Sequence, residues 1–402
     1  MALLSPSGKE SLDQLIARIA DEKKIPGFVF GVTSVDKEIY FNSAGYNVVN
    51  DPESGAVGPD SMFWICSQTK LVAHIAALQL IDQGKLSLES LVSDYIPELV
   101  NPVIVSDRVA ENPSFTSAKT AMCIKHLLNF SSGLFYVPRM SNPTHLSGAY
   151  SEPHDQENPG NLPGIPLAFE PGESWAYGWS SDIVGFIVEK VSGQSLEQYF
   201  QENIFKPLDI KASFYLTPDI KEKLVDLSYR RNGNLEASAK QAEQVLIERD
   251  PTKVRLHLGG VGLYASLQGY LNLLRHLLQI KAGNAKNSIL SPKAVQSLFK
   301  GALTESGVNN LSMLASALDP NAPADPIQWS SGLAICTTDW PGRRRQGSAF
   351  WGGWANLNYF VDPTTGVAAV FATQLVPPFD SHILKYFAEL ERTLYSGLID
   401  GK

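Results

Sequence analysis

The sequence is poor in several kinds of residue, and each shortage excludes a class of protein. Its 402 residues contain three cysteines, Cys66, Cys123 and Cys336, which cannot all pair and whose spacing fits no zinc site. Basic residues are outnumbered, 33 Lys and Arg against 41 Asp and Glu, giving a net charge of −8. We therefore expect no nucleic-acid partner and no anionic membrane partner. No apolar run approaches the ~18 residues that a membrane span needs.

The amino terminus also lacks a targeting signal. Its first residues, MALLSPSGKESLDQL, do not combine a basic segment with a following apolar one, so no secretory signal is predicted. Unpaired cysteines agree with a reducing compartment, and the predicted location is the cytoplasm. Neither the cysteines nor the histidines show ligand spacing, so we predict no metal and no cofactor.

What the chain does contain predicts a large folded protein. Hydrophobic residues make up 44% and charged residues 18%, the latter below the ~25% typical of soluble domains, which indicates a well-covered interior. Strand patterns cluster at both ends of the chain, and helical patterns fill its middle. The predicted strands are Gly27–Ser34, Glu38–Ala44 and residues 329–337, 348–361 and 367–374.

These patterns predict an α/β (α+β) fold. One antiparallel sheet, built from both termini and flanked by helices, is expected to form a discontinuous domain of residues 1–62 and 255–402. Residues 63–254 are expected to form an inserted, mostly helical domain. Within it, 138–171 contains seven prolines, and we interpret it as a wall of a substrate cleft; a passive surface loop is the alternative.

The first candidate for chemistry opens a very apolar helix. Residues 67–83 predict a helix that is apolar nearly all round and therefore buried, and Ser67 and Lys70 share one face at its start. The helix dipole and the ammonium would favour negative charge on the hydroxyl, and a desolvated amine can accept its proton. Ser34–Lys37 and Ser297–Lys300 also match Ser-x-x-Lys but lack this apolar setting. A lysine extending to the surface is the alternative for Lys70.

Two further elements could complete a site with this pair. Tyr177 stands just before a helix, where a nearby ammonium would favour its phenolate form and a role as general base. Residues 351–354, Trp-Gly-Gly-Trp, are predicted inside a strand, and paired glycines there indicate close backbone approach. Such a strand could give a backbone N–H to an oxyanion hole. Packing is the alternative for Tyr177, and a bulge is the alternative for the glycines.

In this order, the three elements resemble the motifs of the serine β-lactamase and penicillin-binding-protein superfamily. Within it the chain is most similar to the esterase–transesterase branch, which includes class C β-lactamase-like family VIII esterases and fungal lovastatin-type acyltransferases. The similarity covers most of the chain and includes residues 63–71, 124–128, 131–134, 177–185, 259–264 and 360–363.

The resemblance implies serine-dependent acyl transfer through an acyl-enzyme. Lys70, assisted by Tyr177, would take the proton of Ser67, and the backbone N–H groups of Ser67 and Trp354 would hold the oxyanion. The implied donor is a small-molecule ester or thioester, with an acyl-carrier protein or CoA thioester as a candidate. The expected acceptor is an alcohol of a small molecule. Hydrolysis of small esters and an inactive binding protein are the alternatives.

Departures from the family pattern bear on the substrate. Penicillin-recognising relatives carry a Lys-Thr-Gly triplet where Trp351, Gly352 and Gly353 stand, and an asparagine where Trp179 stands. Loss of one charge-assisted hydrogen bond costs about 1.5–3 kcal/mol, so we expect weak or absent β-lactam turnover. Aromatic residues would instead form an apolar wall that disfavours water, with packing as an equal alternative. The predicted substrate pocket comprises Trp351, Gly352, Gly353, Trp179, Phe135 and Tyr136.

Three other features receive structural interpretations. Cys66 adjoins Ser67 but is expected to be a small buried residue rather than the nucleophile. His74, one turn beyond Lys70, is expected to be a core histidine. Residues 343–345, Arg-Arg-Arg, are predicted to form a solvated hairpin tip, with docking of an acidic carrier or a phosphorylated thioester donor as the alternative.

Overall fold

The computed structural model describes residues 2–106, 114–136, 166–237, 247–318 and 325–400. A seven-stranded antiparallel sheet lies at its centre and takes strands from both ends of the chain. The mixed fold of helices and antiparallel sheet is therefore confirmed. In spatial order the strands are Ile327–Trp329, Ala334–Cys336, Ala349–Gly353, Leu357–Asp362, Val367–Thr373, Phe28–Ser34 and Glu38–Ala44.

Strands from the two ends of the chain pair with each other in this sheet. Val367–Thr373 pairs along its whole length with Phe28–Ser34, and every residue of both strands is buried. Complete burial follows because helices cover both faces. Helices Pro6–Glu22 and Ser381–Gly397 enclose an apolar cluster on one face, and helix Leu267–Lys281 packs on the other.

The remaining elements surround this sheet. Within the described ranges, no helix combines the length and the apolar character needed to cross a bilayer. Further helices are Thr69–Asp82, Ile124–Leu128, Ser180–Ser192, Leu196–Phe200, Lys206–Leu208, Pro218–Glu222, Pro292–Leu298 and Glu305–Leu318. Shorter strands are Ala2–Leu4, Tyr46–Val48, Asp51–Ala56, Met62–Trp64, Val103–Val105, Phe115–Ser117, Ala212–Ser213, Ser228–Arg231, Asn234–Ala237, Tyr264–Ser266, Leu375–Val376 and Leu398–Asp400.

The predicted central helix is present, but it begins later than expected. A 3-10 turn, Cys66–Gln68, precedes the α-helix Thr69–Asp82, so Ser67 lies in the turn that enters the helix. Residues Thr69 to Leu80 are all buried, as the apolar pattern predicts. We call Thr69–Asp82 the buried helix.

The single strand predicted over residues 348–361 is wrong. The chain reverses there, and Ala349–Gly353 pairs with Leu357–Asp362 as an antiparallel hairpin closed by Gly353 opposite Leu357. Asn356 in the turn has a φ of 62°, a left-handed conformation that asparagine tolerates better than most residues. Because apolar residues continue through the turn, the sequence pattern does not mark it. We call residues 349–362 the glycine hairpin.

The predicted solvated tip at residues 343–345 is also wrong. Arg343 and Arg344 are each 2% exposed, and both bind the carboxylate of Glu391, which is 0% exposed. Arg345 is exposed and pairs with Asp339. Since two of the three arginines are buried against this one carboxylate, the run does not form a basic docking surface.

Two predictions about larger parts of the chain remain, the loop 138–171 and the division into two domains. In the predicted loop 138–171, residues 138–165 lie outside the described residues. The division into a discontinuous sheet domain and an inserted helical domain stays a prediction, although the central sheet draws its strands from residues 28–44 and 327–373.

Candidate active site

The candidate nucleophile lies where a strand turns into the buried helix. Strand Met62–Trp64 is fixed by pairing with Tyr264–Ser266. Cys66 then takes a φ of 49°, an unusual backbone conformation for a residue other than glycine. This turn brings Ser67 to the start of the helix, where it lines a cavity although it is only 7% exposed.

Lys70 is the most connected side chain of the site. It is 1% exposed, so the alternative of a lysine extending to the surface is excluded. Its Nζ atom lies 3.0 Å from Ser67 Oγ, 2.8 Å from the carbonyl oxygen of Gly260 and 3.3 Å from Tyr136 Oη. These three oxygens account for all three positions that an ammonium can donate to.

The same geometry suits a neutral amine. The Gly260 carbonyl can only accept a hydrogen bond, so one N–H of Lys70 must point to it. A second N–H can point to Tyr136, which leaves the nitrogen lone pair facing the hydroxyl of Ser67. The site therefore accommodates Lys70 before and after it accepts a proton from Ser67, without movement of heavy atoms.

Tyr177 lies beside this pair but bonds to a different residue. Its ring covers Lys70, with Nζ 4.8 Å from the ring centroid, a cation–π arrangement. Its hydroxyl accepts a hydrogen bond of 3.0 Å from Trp351 Nε1. In the part of the chain that the structure describes, this hydroxyl bonds to the glycine hairpin rather than to Ser67 or Lys70.

Tyr136 has a closer contact with Lys70 than the sequence indicated. It lines the cavity beside Ser67, and its hydroxyl also accepts a hydrogen bond from the Lys70 amine. Burial, together with the charge of Asp182, raises the pKa of Tyr136 well above 10.0. It is therefore a neutral phenol at physiological pH. No local pattern marks this contact, because it depends on how residues 129–136 pack over the buried helix.

Two neighbouring residues have the structural roles expected of them. Burial lowers the pKa of His74 to about 4, and its ring bonds the carbonyl of Ser331 and the hydroxyl of Ser181. His74 is therefore a neutral core histidine. Burial raises the pKa of Cys66 to about 12, so its thiol is not ionised and is a poor nucleophile.

Ser67 opens into a cavity of about 530 Å³ with a mostly apolar lining. Trp351, Gly352, Gly353 and Tyr136, four residues of the predicted substrate pocket, line this cavity, and so does Trp354. Phe135 instead packs with Val105 and Ala176 in a separate apolar cluster. Trp179 is 6% exposed and packs edge-on against Tyr136, their ring centroids 5.3 Å apart. Neither Phe135 nor Trp179 is among the described lining residues.

The glycine hairpin approaches the nucleophile as the glycine pair indicated. A Cβ atom on Gly353 would lie 2.9 Å from the carbonyl oxygen of Ile65 and 3.2 Å from Cys66 Cβ, so only glycine fits without displacement. The backbone N–H groups of Ala355 and Trp354 lie near the Cys66 thiol. The end of the hairpin therefore lies directly beside the turn that carries Ser67.

Comparison with known proteins agrees with this arrangement. The Beta-lactamase family model matches residues 12–393. A lovastatin esterase of Penicillium rubens is 29% identical over 95% of this chain and 96% of its own length. Monacolin J acid methylbutanoyltransferase of Aspergillus terreus is 25% identical over 96% of this chain and 95% of its own.

A solved structure shows that this similarity extends to the three-dimensional fold. Unliganded simvastatin synthase from Aspergillus terreus superposes with a TM-score of 0.82, at 25% identity, over 96% of this chain and 97% of that one. These relatives are named as esterases and acyltransferases, so the chain is an enzyme of acyl transfer. It belongs to the Beta-lactamase family.

Proposed function

We propose that the chain transfers an acyl group from an ester or thioester to an alcohol of a small molecule, through an acyl-enzyme on Ser67. The observation that carries this proposal is the 3.0 Å contact between Lys70 Nζ and Ser67 Oγ at the wall of an apolar cavity. A nucleophilic hydroxyl needs a base within hydrogen-bond reach, and Lys70 meets this requirement.

In the first half-reaction Lys70 is the base. The Ser67 proton moves to the lone pair of Nζ while Oγ bonds to the acyl carbon, and the carbonyl oxygen takes up the negative charge. The backbone N–H groups of Ser67 and Trp354 are proposed to hold this oxyanion. The bond to the leaving group then breaks, and the leaving alcohol or thiol takes a proton from Tyr177, which lines the cavity.

Trp351 supports the role of Tyr177. Its indole N–H donates to the Tyr177 hydroxyl oxygen, at 3.0 Å, and so stabilises the negative charge left there when the phenol gives up its proton. The positive charge gained by Lys70, beneath the same ring, acts in the same direction. The proton then passes from Lys70 to Tyr177, which restores both groups.

In the second half-reaction an acceptor hydroxyl attacks the acyl-enzyme. The same pair removes its proton while its oxygen bonds to the acyl carbon. The bond from Ser67 Oγ to that carbon then breaks, and the pair returns the proton to Oγ, which restores the hydroxyl of Ser67. The apolar lining favours a small organic alcohol over water. Hydrolysis is the second candidate, favoured by the 29% identity to a lovastatin esterase.

The donor is proposed to be a thioester or ester that enters the cavity itself. A carrier protein docked on residues 343–345 is not part of the proposal, because Arg343 and Arg344 are buried against Glu391. CoA-bound and carrier-bound thioesters are donors to compare in the assay below.

The test is product analysis with a short acyl thioester of a simple thiol. The enzyme is incubated with and without a panel of small alcohols, including monacolin J acid, for which the Aspergillus terreus relative is named. We expect acylated alcohol to form, with thiol released in equal amount. Free acid as the sole product with every alcohol would make the enzyme an esterase, and no turnover of any donor would contradict the proposal.

The two tyrosines near Lys70 form a matched pair for a second prediction. Tyr177→Phe removes the proposed proton donor, and we expect kcat to fall by about 10²–10³-fold. Tyr136→Phe removes one hydrogen-bond acceptor from Lys70 but leaves its contacts with Ser67 and Gly260, and we expect a fall of about tenfold. Steady-state kinetics with an activated ester measures both. The reverse order of effects would assign the proton transfer to Tyr136.

A further inference from the structure

Asp182 is a buried carboxylate that the mechanism above leaves without a role. It is 1% exposed, and its Oδ1 atom accepts a hydrogen bond of 2.8 Å from the backbone N–H of Gly260. Its Oδ2 atom is buried without a hydrogen-bond partner among the described residues. The carbonyl of the same Gly260 accepts the hydrogen bond from Lys70. Gly260 is therefore held between the carboxylate and the ammonium.

The helix Ser180–Ser192 contacts the segment that carries Gly260, residues 257–260, at two more places. A Cβ atom on Gly259 would lie 2.6 Å from the carbonyl oxygen of Ser181, so only glycine permits this close contact. About two turns further along the helix, the carboxylate of Glu189 lies 2.9 Å from Nδ1 of His257. The segment thus runs antiparallel to the helix in a fixed register, and that register sets where the Gly260 carbonyl meets Lys70.

We propose that Asp182 is a positioning residue for acyl transfer: it holds Gly260 against Lys70 and supplies the negative charge that stabilises Lys70 after it has taken the Ser67 proton. The proposal rests on the function given above. A buried charge without a hydrogen bond or a countercharge is costly, and Gly260 and Lys70 provide these for Asp182.

Among the described residues, the titratable groups that act on Asp182 are Lys70 on the buried helix and Tyr136, which follows helix Ile124–Leu128. His74, on the same helix as Lys70, bonds to the neighbouring Ser181. Burial raises the pKa of Asp182 to about 6, against the opposing effects of Lys70 and the Gly260 N–H. The carboxylate is thus ionised at neutral pH and becomes protonated as the pH falls through about 6. We expect kcat/KM of the wild-type enzyme to fall over the same range.

The test is the pH profile of Asp182→Asn, which keeps the shape of the side chain and an oxygen to accept from Gly260. We expect kcat to fall by about tenfold to a hundredfold with little change in KM, because the lost charge acts on the proton transfer. The acid limb of the kcat/KM profile should move to lower pH, because the carboxylate that titrates near pH 6 is no longer present. An acid limb that stays in place would reduce Asp182 to a structural residue and overturn the proposal.

Two variants complete the experiment. Asp226→Asn makes the same chemical change at an aspartate that pairs with Arg249 and does not line the cavity, and it should leave the acid limb unchanged. Asp182→Glu keeps the charge and should keep the acid limb even where kcat is reduced; it also carries the test if Asp182→Asn does not fold. Loss of the limb in Asp182→Glu would count against the proposal.

A separate measurement distinguishes failure of this inference from failure of the function. Covalent labelling of Ser67 by an activated ester, read by mass spectrometry, reports the acyl-enzyme directly. If the wild-type enzyme is labelled but Asp182→Asn matches its kcat and pH profile, the inference about Asp182 fails alone. If the wild-type enzyme is not labelled at Ser67, the proposed function fails.

Discussion

Ser67→Ala is expected to abolish the acyl-enzyme and to lower kcat/KM by about 10⁴-fold or more, because no other group takes over the covalent step. Incubation with an activated ester should add one acyl group to the wild-type protein and none to the variant, as measured by intact mass and peptide mapping. The neighbouring Cys66 does not compensate, because burial raises the pKa of its thiol to about 12.

A matched control is present in the same chain. Ser297 and Lys300 repeat the Ser-x-x-Lys spacing, but the Ser297 hydroxyl donates to the carbonyl of Ala294 and does not line the cavity. Ser297→Ala should therefore keep both the adduct and the activity. An acyl adduct that persists in Ser67→Ala would remove Ser67 from the mechanism.

The second large effect is expected on stability, from Glu391→Ala. Glu391 is 0% exposed and binds both Arg343 and Arg344, so its removal takes the carboxylate that they share away from two buried cations. Breaking a buried ion pair in this way costs about 3–5 kcal/mol. Chemical denaturation should show a free energy of unfolding reduced by that amount.

The control for this loss lies one half-turn away on the same helix. Glu389 pairs with Arg18 at the surface, where both side chains are partly exposed. An exposed pair contributes about 0–1 kcal/mol, so Glu389→Ala should change the free energy of unfolding by no more than that. Equal losses in the two variants would show that the buried pair is not the source of the effect.

The carboxylate of Glu391 also makes the free energy of unfolding depend on pH, in a direction that its pKa determines. Burial alone would raise the pKa of Glu391, but the charges and hydrogen bonds of Arg344 and Arg343 outweigh it and hold that pKa below its usual value of 4.5. A lowered folded-state pKa means that the stabilisation is complete above 4.5 and is lost as the pH falls through the folded-state value. The difference in stability between wild type and Glu391→Gln should therefore shrink below pH 4.5.

The parts of the site that the sequence predicted are those marked by local pattern. Ser67 and Lys70 were recognisable because a lysine is unusual in an apolar helix, and Gly353 because a glycine pair weakens a strand. The contact between Lys70 and Tyr136 was not recognisable, because it joins residues 66 positions apart that no spacing rule connects. Asp182 was visible in the sequence only as part of the motif around Tyr177.

The errors in the predicted fold have a similar physical origin. The turn of the glycine hairpin lies within an apolar run, and one asparagine with a positive φ reverses the chain without a break in polarity. The arginines at 343–345 appeared solvated because their partner, Glu391, lies far away in the sequence on the final helix. Whether a charge is buried depends on tertiary contacts of this kind, and the local sequence pattern does not show them.

The pairing of Phe28–Ser34 with Val367–Thr373 has a consequence for biosynthesis. During synthesis, one hydrogen-bonding edge of Phe28–Ser34 stays open until the much later strand Val367–Thr373 has been made. Unpaired, apolar strand edges are sites of self-association, and long-range pairing slows folding. Truncation before residue 367 would therefore leave Phe28–Ser34 paired on one edge only, with Glu38–Ala44.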